Sequence, residues 1–213
     1  MMRIVVGSES SSDMGQVELD RHAEMLAMFA KRIEAGARGP RCITMILRSP
    51  ASNAAQAFIA RTSELKRAGI FAQVLVAALE PESTLRLLYA CLSELSPKAS
   101  TSELIRSLRN PRLLDAHEQV TYGKSLCWWG DAMRREADKR NALSLFEDGS
   151  NGSVRRGQLA FHALWSASTA IPERRLLARA MPRPSGAYER DRGTVAAVST
   201  LRPSLQGWPL IRH

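Results

Sequence analysis

A chain of 213 residues, 45% hydrophobic and 24% charged, is long enough for one good core with an appendage. Its longest apolar runs, such as VLVAAL (residues 74–79), are far too short to cross a bilayer, so no membrane insertion is expected. Net charge is +9 and unevenly placed: residues 151–213 hold ten Arg, no Lys and three acids, a net of +7, against +2 for the first 150. That asymmetry points to a near-neutral folded domain with a basic tail able to seek polyanions.

The N-terminal MRIVV (residues 2–6) is a short β-branched run closed by a polar loop. Its four-residue apolar patch is not expected to act as a signal peptide. Apolar residues then recur at spacings of three and four over residues 16–37, which predicts a helix ended by GARGPR. CITMIL (residues 42–47) is apolar without a break, as a strand covered on both faces would be. A second helix is predicted over residues 51–68, stopped by Gly69 and followed by the buried strand FAQVLVAAL. Pro81 opens a third helix, PESTLRLLYACLSEL, and a short helix or turn is predicted over 101–108. Alternating strands and helices imply an α/β fold with a mainly parallel or mixed sheet and helices on both faces.

The pattern then changes. In HEQVTYGKSLCWWGD (residues 117–131), EQVTY and SLCWW are β-prone segments flanking Gly-Lys, which predicts a hairpin. Asp131 is placed to cap a helix, AMRREADKRNALSLFE, in residues 132–147. The turn residues of EDGSNGS mark the best domain boundary. The expected organisation is an α/β domain over 1–150, an appended helical segment over 151–181, and an Arg-rich, disordered tail over 182–213.

Several chemistries are excluded. The Gly-Lys-Ser lacks the first glycine of a phosphate loop, because Glu118 stands there, and a strand rather than a helix follows it. His117-Glu118 opens no zinc-protease helix, because Thr121 occupies the place of the second histidine. The three cysteines are dispersed and have no C-x-x-C. They are read as buried apolar residues of a cytoplasmic protein, and no metal or cofactor is expected. His22, His162 and His213 have no companions at ligand spacing.

The same stretch resembles the catalytic motif of the phospholipase D superfamily, whose members carry H-x-K, an Asp shortly after, and Gly-Ser-x-Asn beyond the second strand. FIARTSELKRAGIFAQVLVA and NPRLLDAH also look like the family's approach to its histidine. The resemblance spans roughly residues 45–146, half of the two-motif enzymes and typical of the single-motif members that pair as homodimers. It implies that His117 attacks phosphorus while a second histidine, from the other subunit, protonates the leaving group. His117 and Gly130 match. Gln119 replaces the lysine, the motif aspartate falls on or beside Lys124, Asp131 replaces serine and Met133 replaces asparagine. Losing a lysine and gaining an acid removes several kcal/mol of transition-state stabilisation, since one oxyanion donor is worth about 2.7–4 kcal/mol.

The expected function is therefore that of a phospholipase-D-like protein without hydrolytic turnover, binding nucleic acid or another phosphorylated partner and forming a homodimer. Its site residues would be His117 at the catalytic position, with Gln119, Lys124, Arg134 and Arg135 toward phosphate. Two alternatives follow. One is an active phosphodiesterase or nuclease in which Lys124 or Arg134 supplies the lysine's role. The other is a protein-interaction module whose basic tail docks on a protein.

Overall fold

The computed structural model describes residues 11–108, 117–131 and 144–177. The strand predicted at 2–6, most of the helix predicted at 132–147 with its Arg134 and Arg135, and the tail from 182 lie outside the described residues. In chain order the described elements are α1 (Ser11–Glu34), β1 (Cys42–Leu47), α2 (Asn53–Ala60), α3 (Thr62–Arg67), β2 (Phe71–Val76), α4 (Glu82–Leu95) and α5 (Thr101–Leu104). There follow β3 (Ile105–Ser107), β4 (Glu118–Tyr122), β5 (Leu126–Gly130), β6 (Ser144–Asp148), α6 (Asn151–Ala167), β7 (Thr169–Ala170) and α7 (Glu173–Leu176).

The strands form one seven-stranded sheet in the order β6-β5-β4-β1-β2-β3-β7. The chain is α/β, and the sheet is mixed. β1, β2 and β3 run parallel, while β4, β5, β6 and β7 each pair antiparallel with their neighbours. The parallel part arises because each crossover, α2–α3 and then α4, is long enough to bring the chain back in the same direction. The antiparallel part follows from the short turn Gly123–Ser125 between β4 and β5.

Alternation sorts the strand residues between two faces. Ile43, Met45 and Leu47 of β1 join Val74 and Val76 of β2 and Val120 and Tyr122 of β4 in the large core. Phe29, Phe58, Leu65, Leu85 and Leu88 from α1 to α4 close over it. On the other face Ile46 and Leu75 meet Phe161 of α6 and Leu108 in a smaller cluster. α6 approaches closely because residue 157 is glycine: a Cβ there would lie 2.9 Å from Thr121 Cγ2 and 3.5 Å from the Trp129 ring. α6 thus belongs to the same compact unit as the sheet, Met1–Arg179.

Three local expectations are corrected. The helix predicted over 51–68 is two helices meeting at Arg61, where the Thr62 hydroxyl donates to the Phe58 and Ile59 carbonyls (3.1 and 3.0 Å). The helix or turn predicted over 101–108 lasts one turn, opened by a capping box of Ser100 and Glu103. Residues 105–107 then extend to pair with β2, Ile105 beside Val74 and Ser107 beside Val76. Residues 144–147, read as the end of a helix, lie in β6 instead, because Phe146 and Leu145 pair across from Trp128 and Trp129. Tertiary pairing overrides helical spacing at the last two of these ends.

Candidate functional site at the carboxyl edge of the sheet

The topology brings three chain segments to one edge. β1 ends at Leu47, and antiparallel β4 begins beside that end, with Gln119 opposite Ile46. β5 finishes there too, Gly130 opposite Glu118, so Asp131 follows directly. The residues before and after the hairpin, His117 and Asp131, are therefore gathered with Arg48 and, from α1, Glu18. The carboxyl ends of parallel strands are where α/β folds place their ligands.

Two buried acids stand at this edge beside Arg48. Glu118 is 3% exposed and Asp131 1% exposed. One Glu118 oxygen accepts a 2.7 Å bond from the Arg48 backbone N–H. Burial pushes the Glu118 carboxyl up to about 7. The Arg48 N–H and positive charge oppose that rise, while the negative charges of Glu18 and Asp131 add to it. Glu18 itself accepts from Asn53 Nδ2 at 2.7 Å, which ties α1 to the start of α2.

The predicted phosphate ligands are not assembled here. His117 is exposed at this edge. Gln119 faces the other side of the sheet, 1% exposed, and its Nε2 donates to the Gly157 carbonyl at 2.6 Å. It positions α6 and is closed to a ligand, which corrects its reading as a phosphate contact. Lys124 is exposed in the hairpin turn at the opposite end of β4. At about 3.3 Å per residue that is roughly 20 Å from His117, so the two cannot address one phosphoryl group within this chain. Arg134 and Arg135 lie outside the described residues.

Gly130, the motif's matching glycine, has a packing role: a Cβ there would lie 2.5 Å from Trp128 Cζ2. Trp128 is buried, its Nε1 donating to Ser144 Oγ at 2.8 Å, whereas Trp129 is half-buried on the α6 side. The Trp128 ring also packs against His22, which has no companion at ligand spacing in the sequence. That imidazole is wholly buried, with ring centroids 4.4 Å from Trp128 and 5.2 Å from Phe146. Its Nδ1 lies 3.3 Å from the Tyr122 hydroxyl. Burial lowers its pKa to about 3, so it is a neutral core group. Burial also pushes Cys42 up to about 12 and Cys127 up to about 11, which keeps both as thiols.

A cleft of about 730 Å³ lies elsewhere, between α1 and β6, with Met25, Met28 and Phe146 among its walls and the Arg21 guanidinium 5.7 Å from the Phe146 ring centroid. None of the predicted site residues lines it. Among the described residues, no group of three or more His, Cys, Asp or Glu could hold a metal ion, and no helix is long and apolar enough to cross a membrane.

The feature missed at the sequence level is the burial of Glu118. The signal was present in the alternation, because Glu118 shares parity with Val120 and Tyr122, the apolar face of β4. No family model matches the sequence, and no curated protein is similar to it.

Proposed function

We propose that this chain is a phospholipase-D-like domain that does not hydrolyse phosphodiesters and that binds nucleic acid or another phosphorylated polymer as a homodimer. One observation carries the loss of turnover: the groups that should converge on phosphate are held apart. Gln119 is turned inward onto Gly157, and Lys124 sits at the far end of the hairpin. A phosphoryl transition state gathers negative charge on its equatorial oxygens and needs donors and cations at that point.

Binding is supported by charge placement, with the last 63 residues carrying a net +7, of which residues 180–213 hold five Arg and two acids, a net of +3. Contacts of this kind are made to phosphates, so affinity falls steeply with salt. The homodimer is supported by the uneven covering of the sheet, since among the described helices α6 stands alone on its face.

The test is a salt-dependent titration of full-length protein with single- and double-stranded DNA, beside a chain ending at Arg179. A chromogenic phosphodiester is assayed in parallel, with His117→Ala as control. Binding that needs residues 180–213, weakens with salt and comes without turnover is the expected result. Turnover abolished by His117→Ala would make the chain an enzyme. Absence of both binding and turnover would leave the protein-interaction alternative.

A further inference from the structure

We propose that the amino-terminal edge of the sheet binds single-stranded nucleic acid, with Arg38, Arg41 and Lys124 on its phosphates and Phe71 under a base. The inference rests on the nucleic-acid reading above and deepens it by naming a folded surface and the form of the polymer. Lys124 lies too far from His117 to serve that site, but it has companions at its own end of β4. The turn that carries it is fastened to the start of β1, since the Gly123 N–H donates to the Cys42 carbonyl at 2.9 Å. The start of β2 is fastened on the other side, where the Phe71 N–H donates to the Arg41 carbonyl at 3.0 Å. Lys124, Arg41 and Phe71 therefore stand at the ends of three adjacent strands, about 5 Å from one strand to the next.

Glycines let the loops lie close around these cations. A Cβ at Gly39 would stand 3.4 Å from Lys124 Cδ, so the loop before β1 rests on the lysine stem, and its φ of +151° suits glycine. A Cβ at Gly69 would stand 3.5 Å from Arg41 Nη1. Arg38, Arg41 and Lys124 are all exposed, and none of them makes an ion pair among the described residues. The acids that end α1 and β6 are held elsewhere, Glu34 by Arg67 at 3.6 Å and Asp148 by Arg32 at 2.7 Å. Glu103, whose carbonyl accepts from Gln73 of β2, turns its carboxylate back onto Ser100 in the capping box. Three positive charges from two neighbouring loops are thus left to solvent.

The ring decides the form of the polymer. Phe71 is 45% exposed at the first position of β2, while Phe29, Phe58 and Phe161 are buried in the two cores. Stacking on an aromatic ring accepts any base, because each has a π-face, and cations beside the ring follow the backbone. In a duplex the base faces are already stacked on one another, so only the cations would find a partner. An acidic protein would likewise answer the cations and leave the ring without a planar group. A single strand answers both.

Fluorescence anisotropy of a labelled oligothymidine titrated with the full chain over a range of salt tests this, beside the same strand annealed to oligoadenosine. Arg41→Gln combined with Lys124→Gln removes two phosphate contacts. The slope of log affinity against log salt for the single strand should become shallower by about 1.4. Phe71→Leu should weaken single-strand binding about fivefold or more and leave duplex binding unchanged, and Phe71→Trp should restore it. Binding indifferent to the loss of Arg41 and Lys124 would overturn the edge and leave the nucleic-acid reading standing on the tail. Weakening by that pair without any effect of Phe71→Leu would overturn the single-strand assignment. So would displacement of the oligothymidine by polyglutamate as readily as by unlabelled strand. A parent chain that binds neither form would overturn the edge and the nucleic-acid reading together.

Discussion

On one face of the sheet, helices α1 to α4 bury Phe29, Phe58, Leu65, Leu85 and Leu88 against β1, β2, β4 and β5. On the other face α6 is held by Phe161, by the close approach at Gly157, and by the Gln119 amide on a backbone carbonyl. The first face follows the general rule of many apolar contacts without directional demand. The second depends on a few fitted contacts, among them a buried hydrogen bond between the Thr44 and Thr121 hydroxyls at 2.5 Å. A face of the first kind tolerates varied apolar side chains, provided volume is kept. A face of the second kind is sensitive to one methyl group.

The largest expected effect lies on the deep face. Phe58 is fully buried in α2, and Phe58→Ala should cost about 3–5 kcal/mol of unfolding free energy in urea titrations. A loss below 1 kcal/mol would mean that α2 is not part of the cooperative core.

Next comes Glu118, an acid on the same face as that apolar core. Its folded carboxyl holds a proton up to about 7, while an unfolded glutamate gives it up near 4.3. Between those values the unfolded state binds fewer protons, so stability falls as pH rises and levels off above about 7. Glu118→Gln, which stays neutral and can still accept from the Arg48 N–H, should match the parent near pH 4. At pH 8 it should be more stable by about 3–4 kcal/mol, read from unfolding midpoints across that range. Parallel pH profiles for the two proteins would show that Glu118 is not the titrating group.

The smallest effect sharpens the other side. Gly157→Ala places a Cβ against Thr121, whose hydroxyl is already held by Thr44, so that neighbour gives way with difficulty. A cost of about 1–3 kcal/mol is expected, together with a change in tryptophan fluorescence as α6 lifts from Trp129. An unchanged midpoint and spectrum would show that α6 rides less tightly on the sheet than the distances state.

The elements with strong local codes were legible in the sequence. CITMIL could only be a strand covered on both sides, Gly69 ended its helix at φ +65°, and the β-prone segments either side of Gly-Lys formed their hairpin. Chain ends with weak local codes were not. Ser144–Asp148 and Ile105–Ser107 are strands because β5 and β2 present open edges to them, which no window of sequence contains. At the candidate site, the nearness of His117 to the hairpin's Gly-Asp end was legible from the motif spacing. The burial of Glu118 showed only in its shared parity with Val120 and Tyr122, and the inward turn of Gln119 was not legible, because it depends on which helix covers that face of β4. Sequence by itself determined the alternation along each strand and the pauses between elements, since both arise from local backbone sterics and side-chain spacing. Which alternate face meets α1 to α4 and which, among the described helices, meets α6 was decided only in three dimensions, where burial makes Gln119 a structural ligand of α6 and Glu118 a reluctant acid.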